Sequence, residues 1–84
     1  MDYNQFDLLS DRMKGQIIMK SGVCIAERVY KCFKIYLFQI RHYYVEVYLH
    51  LTFNVVQLVR GFEDLSELDP YLENIDPSIF RSLI

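Results

Sequence analysis

From Phe33 to Phe62 apolar side chains recur at every second position, the period of a strand rather than of a helix. The alternation divides into stretches that predict four strands: Val23 to Val29, Phe33 to Ile40, Tyr43 to about Leu51, and Val55 to Phe62. Arg41-His42 and Thr52-Phe53-Asn54 mark reversals, Asn being the residue that tolerates positive φ. Strands joined by such short connections pair with their neighbours in sequence, which predicts an antiparallel meander.

Within the second strand Phe33, Ile35 and Leu37 oppose Lys34, Tyr36, Phe38 and Ile40. Within the third, Tyr43, Val45, Val47 and Leu49 oppose Tyr44, Glu46, Tyr48 and His50. Assigning Tyr36, Phe38, Tyr44 and Tyr48 to one face and Ile35, Leu37, Val45 and Val47 to the other leaves a sheet that is apolar on both sides. Each side then needs a cover.

Residues 1–22 supply one cover. Phe6, Leu9, Met13 and Ile17 recur at three or four, the spacing of one helical face, and Ser21-Gly22 provides a stop. Gly15 inside this helix costs about 1 kcal/mol relative to Ala. The run Ile17-Ile18-Met19 could equally begin a strand, so Gln16 to Met19 stays open between the two. Small residues at Cys24 and Ala26 would let the helix lie close to the first strand. Residues 63–84 form an acidic tail in which Asp69-Pro70 and Asp76-Pro77 recur at a spacing of seven. Asp before Pro is a strong helix start, because the carboxylate caps free N–H groups while Pro lacks one and fixes φ. Each predicts a turn or two of helix, with Leu68, Leu72, Ile75 and Ile79 docking on the sheet.

Composition sharpens the question of the second cover. Eighty-four residues make one domain, which buries only about 60–65% of the surface of its unfolded chain. An apolar fraction of 52% is high for that size, and nine of the thirteen Phe and Tyr residues fall between residues 30 and 62. Surplus apolar surface points to a partner. Charge is uneven: −3 over residues 1–11, +6 over residues 12–60 and −5 over residues 61–84. An acidic tail lying near a basic sheet accounts for this, and the net charge of −2 argues against a phosphate-binding surface. The N-terminal stretch lacks the basic and apolar regions of a signal peptide, and no run approaches the length of a membrane span. A soluble cytoplasmic protein is expected. The two cysteines are expected as reduced thiols, Cys24 in the core and Cys32 near a turn, since a hairpin between them holds them too far apart to bond.

Candidate chemistry is sparse. His42 and His50 have no carboxylate positioned to orient them, and Ser10, Ser21, Ser66, Ser78 and Ser82 lack a nucleophile elbow. Asp64, Glu67, Asp69 and Glu73 do not follow a calcium-loop pattern. No enzyme activity, cofactor or metal is expected. The aromatic face carries more weight. Tyr36, Phe38, Tyr44, Tyr48 and His50 are the candidate interface, most simply with a second copy in a homodimer, each ring contributing on the order of 1–2 kcal/mol on burial. A different protein partner is the next possibility. With Lys34 and Arg60 the same rings could stack on single-stranded nucleic acid, although Glu46 would repel phosphate and no ribonucleoprotein motif is present.

The strand Tyr43-Tyr44-Val45-Glu46-Val47-Tyr48, followed by Arg60-Gly61-Phe62 and by Leu68-Asp69-Pro70-Tyr71-Leu72-Glu73-Asn74-Ile75-Asp76, resembles a pattern in small bacterial α+β proteins of no assigned activity. The resemblance covers the C-terminal half and implies an intracellular bacterial origin. It carries no site residue. The expected architecture is α+β: an N-terminal helix packed on a four-stranded antiparallel β-meander (residues 23–62), closed by short C-terminal helical turns.

Overall fold

The computed structural model describes residues 1–72 and arranges them as α1 (Tyr3–Asp7), α2 (Asp11–Ser21), β1 (Val23–Tyr30), β2 (Phe33–Ile40), β3 (Tyr43–His50), β4 (Val55–Phe62) and a 3-10 helix (Leu65–Tyr71). The fold is α+β, with one antiparallel sheet in the order β1-β2-β3-β4. The N-terminal helical stretch is split in two, because each part has its own cap. Asp2 and Gln5 form a capping box on α1, and Ser10 Oγ accepts from Met13 N at 3.3 Å to start α2. Gln16 to Met19 is helical. Gly22 is extended (φ −84°, ψ 145°) rather than left-handed. It is needed for close approach, since a Cβ there would lie 2.6 Å from the Ile18 carbonyl oxygen.

Register corrects the assignment of faces. The two-residue turn Arg41-His42 pairs Ile40 with Tyr43, so Phe38 lies opposite Val45, Tyr36 opposite Val47, and Ile35 opposite Tyr48. Even positions of β2 therefore share a face with odd positions of β3, and the expected single aromatic face does not exist. Tyr36 and Phe38 lie on the helix side with Val45 and Val47. Tyr44, Tyr48 and His50 lie on the opposite side with Ile35 and Leu37. The first turn residues Lys31 and Arg41 both take φ 54°, as tight hairpins demand.

Each face has its own core at the end of the sheet nearest the Arg41-His42 turn. On the helix side Phe6 and Ile18 pack on Ile40, Tyr43, Val45 and Val59. Tyr3 and Phe6 rest on Gly61, where a Cβ would come within 2.9 Å of the Tyr3 ring, and Tyr3 Oη donates to the Gly61 carbonyl at 3.0 Å. On the other side Leu68 and Tyr71 of the 3-10 helix cover Leu37, Tyr44 and Phe62. That helix starts earlier than the Asp69-Pro70 pair implied: Asp64 is the cap, its carboxylate accepting from Ser66 N at 2.9 Å, and Pro70 falls inside. Of the residues expected to dock, Leu68 is buried while Leu72 is exposed, and Tyr71 takes its place. The Asp76-Pro77 turn, Ile75 and Ile79 lie outside the described residues.

Cys24 is exposed, not in the core, and both cysteines are free thiols. The α-helices sit over β2 and β4, whereas the edge strand β1 meets the 3-10 helix, its Ile25 and Ala26 packing against the Leu68 and Tyr71 cluster, and its register shifts between Cys24 and Ala26.

Candidate interaction surface

Glu46 divides the sheet into a covered half and a bare half. Strand alternation points its side chain at the 3-10 helix side, where it is only 2% exposed. Four donors converge on the carboxylate: Arg60 Nη1 at 2.8 Å and Tyr48 Oη at 3.3 Å on Oε1, Tyr71 Oη at 2.5 Å and Arg28 Nη2 at 3.3 Å on Oε2. Arg60 also pairs with Glu67 of the 3-10 helix, and the Arg28 guanidinium lies over the Tyr71 ring at 5.1 Å. The network thus ties β1, β3, β4 and the 3-10 helix together through one carboxylate. Burial, reinforced by the Glu46 charge and hydrogen bond, pushes the Tyr71 phenol well above its ordinary pKa. Tyr48 shifts upward for the same reasons, burial again being the larger cause. These groups brace the structure.

Beyond Glu46, toward the turns at Lys31-Cys32 and Leu51–Asn54, none of the described residues covers the 3-10 helix side. An aromatic chain runs across it: Tyr48 to Phe33 (5.9 Å between centroids), Phe33 to His50 (5.4 Å), His50 to Phe53 (4.7 Å). His50 Nδ1 accepts from Thr52 N and Phe53 N at 3.2 and 3.3 Å, which shapes the turn and presents the Phe53 ring, 70% exposed. The residues expected at the interface are thereby redistributed by geometry: Tyr48 and His50 support this patch, Tyr44 is buried beneath the 3-10 helix, and Tyr36 and Phe38 belong to the opposite face.

 Those five residues do not form one surface.

The edge strand β4 carries a bare apolar segment. Among the described residues its outer side has no neighbouring strand, and Val55, Val56, Gln57 and Leu58 are all exposed. The register shifts between Tyr48 and Leu49, leaving Gln57 as the extra residue of a bulge. Val55 and Leu58 project on the side of His50 and Tyr48, whereas Val56, 56% exposed, projects on the helix side with Leu49. Both faces of this segment are therefore apolar and wet. On the helix side a groove of about 560 Å³ opens between α2 and the sheet, its floor formed by Phe38, Val47, Val56 and Val59.

Edge exposure at β4 was not visible in the alternation of Val55 to Val59, because it depends on which strand ends the sheet and on where α2 lies. The buried network had one sequence signal, a lone Glu46 on a strand position between Tyr44 and Tyr48, flanked in the fold by Arg28 and Arg60. Among the described residues no three His, Cys, Asp or Glu side chains gather as metal ligands, and no helix is long and apolar enough to cross a membrane. No protein-family model, curated protein or solved structure matches the chain.

Proposed function

We propose that this chain is a non-enzymatic protein–protein interaction module that forms a homodimer by pairing the β4 edge with β4 of a second copy. The observation that carries the reading is the segment Val55–Leu58, whose Val55, Val56 and Leu58 make both faces apolar and which no described strand pairs along its outer side. An open strand of this kind is a template for another strand, and proteins that remain monomeric blunt it with charge or Pro. The opposite edge, β1, is blunted by the exposed Glu27, paired with Lys34, and by its irregular register. In β4 the first charge is Arg60, and it is engaged by Glu46 and Glu67. Two-fold symmetry makes the contact isologous and the two β4 strands antiparallel, so that Leu58 and Phe53 of each copy meet the same patch on the other. The exposed thiols of Cys24 and Cys32 fit a reducing, cytoplasmic setting.

Light scattering coupled to size exclusion tests this. The chain should elute with twice its 10.1 kDa mass at micromolar concentration, and Leu58→Lys should give a folded monomer. A wild-type monomer under those conditions overturns the reading. A second reading draws on the exposed rings of Tyr30, which has the Lys31 ammonium 5.3 Å from its centroid, and Phe53: stacking on single-stranded nucleic acid. It requires a salt-sensitive anisotropy change with a labelled oligonucleotide that Phe53→Ala abolishes.

A further inference from the structure

The half of the 3-10 helix side that no described residue covers consists of two cross-strand rows, Tyr30-Phe33-His50-Val55 and Arg28-Ile35-Tyr48-Leu58. Ile35 alone is buried; Phe33, Tyr48 and His50 at the centre are half-buried, and Tyr30, Val55 and Leu58 at the rims are exposed. The 3-10 helix stops at the border of these rows. It crosses the face from β4 toward β1: Glu67 near its start pairs with Arg60 of β4, and Tyr71 at its end carries the Arg28 guanidinium of β1 over its ring at 5.1 Å. The chain therefore leaves Leu72 beside the bare rows and on their side of the sheet.

We propose that residues 73–84 of the same chain dock on these rows, with Ile75, Ile79, Phe80 and Leu83 against Phe33, Tyr48 and His50, and complete the cover that the 3-10 helix begins. Length allows it. The twelve residues that follow Leu72 span about 18 Å even at the rise of a helix, and the four strands measure about 14 Å across. The sequence supplies the matching surface, because Ile75, Ile79, Phe80 and Leu83 recur at four, one and three, the spacing of one helical stripe, with Ser78, Arg81 and Ser82 between them. Charge agrees. The two rows hold Arg28 and, at the adjoining turn, Lys31 5.3 Å from the Tyr30 ring, with no acidic side chain in either row, whereas the segment opens with Glu73 and Asp76. Tethering at the border sets an effective concentration in the roughly millimolar range, so the chain's own residues outcompete those of a second copy at micromolar concentration. The contact engages side chains at the centre of the face and leaves the outer backbone of β4 free, so it is argued independently of pairing at that edge.

Nuclear Overhauser contacts between isoleucine methyls and aromatic rings in the isotopically labelled full chain test the assignment. Contacts from Ile79 to Phe33 and Tyr48 are expected, at unchanged intensity when the labelled chain is mixed with excess unlabelled chain. Leu58→Lys, which splits the proposed dimer, should leave them in place, so the two readings fail separately. Phe80→Asp should abolish them and lower the urea midpoint by about 1 M, while Arg81→Gln should change neither. Absence of the contacts overturns the proposal, as does an unchanged midpoint in Phe80→Asp. Contacts found only between differently labelled chains overturn it in favour of the segment of a second copy, and contacts to Phe38 and Val47 overturn it in favour of the groove beside α2.

Discussion

Replacing Glu46 by Gln changes one oxygen for an NH2 group at the point where four donors meet. Arg60 Nη1 and Tyr48 Oη approach Oε1, and Arg28 Nη2 and Tyr71 Oη approach Oε2. A glutamine can keep its carbonyl toward Arg60 and Tyr48 only by turning its NH2 toward Arg28 and Tyr71. The Tyr71 hydroxyl can rotate and accept from it. Arg28 has only donors, so its guanidinium loses its carboxylate, and its buried Nε has no partner among the described residues to begin with. Loss of a charge-assisted hydrogen bond costs about 1.5–3 kcal/mol, and breaking a fully buried ion pair about 3–5 kcal/mol. Because the Arg28 side chain keeps 19% of its exposure and Arg60 retains Glu67, the expected loss lies near 2–4 kcal/mol. Against a total of roughly 4–13 kcal/mol for a chain of this length, that is a large fraction. Urea unfolding followed by far-ultraviolet circular dichroism should show a lower midpoint at unchanged slope. Tyr71→Phe should cost less, and the double variant less than the sum of the two, because the hydroxyl and carboxylate act on each other. A Glu46→Gln loss below about 0.5 kcal/mol would refute the claim that this carboxylate fastens the 3-10 helix to the sheet.

Three further outcomes follow from the same geometry. The buried Tyr43 hydroxyl has no partner among the described residues, so Tyr43→Phe should raise stability by up to about 1–2 kcal/mol in urea melts; a loss of more than about 1 kcal/mol would mean that the hydroxyl is satisfied. Burial raises the pKa of Tyr43, Tyr44, Tyr48 and Tyr71 above the ordinary value. The folded state then holds protons that the unfolded chain releases, so their stabilising contribution is complete below about pH 10 and is lost as pH climbs from there toward the folded values, at up to about 1.4 kcal/mol per pH unit for each ring. Tyr71→Phe should flatten that alkaline slope in a pH series of thermal melts, and an unchanged slope would contradict the assignment. Arg41 sits at φ 54°, so Arg41→Gly should be stabilising by about 0.5–1 kcal/mol in the same melts, whereas Arg41→Val should destabilise.

Strand positions were readable because the period of two survives in every strand and the turns interrupt it at short intervals. The faces were not, although the information was present: a two-residue turn at Arg41-His42 makes paired residue numbers sum to an odd value, which places Phe38 with Val45 rather than with Tyr44. The break between α1 and α2 was masked because Phe6, Leu9 and Met13 keep a helical spacing across Ser10, whose capping role was the stronger signal. The 3-10 helix starts at Asp64 rather than at Asp69-Pro70, because the Asp64 carboxylate reaches the Ser66 N–H while Pro70 is accommodated inside the helix. The surface could not be read at all from local pattern. Val55 and Val56 look like core residues in sequence, and only the end position of β4 and the course of α2 leave them wet.

Pairing at β4 has a direct reporter in hydrogen exchange at the outward-facing backbone amides of Val55–Leu58. Those amides have no partner strand among the described residues of one copy, so the account predicts protection that grows with protein concentration and disappears in Leu58→Lys, while amides shared between β2 and β3 stay protected in both. Rapid exchange at Val55–Leu58 in a chain of dimeric mass would contradict it and place the contact elsewhere.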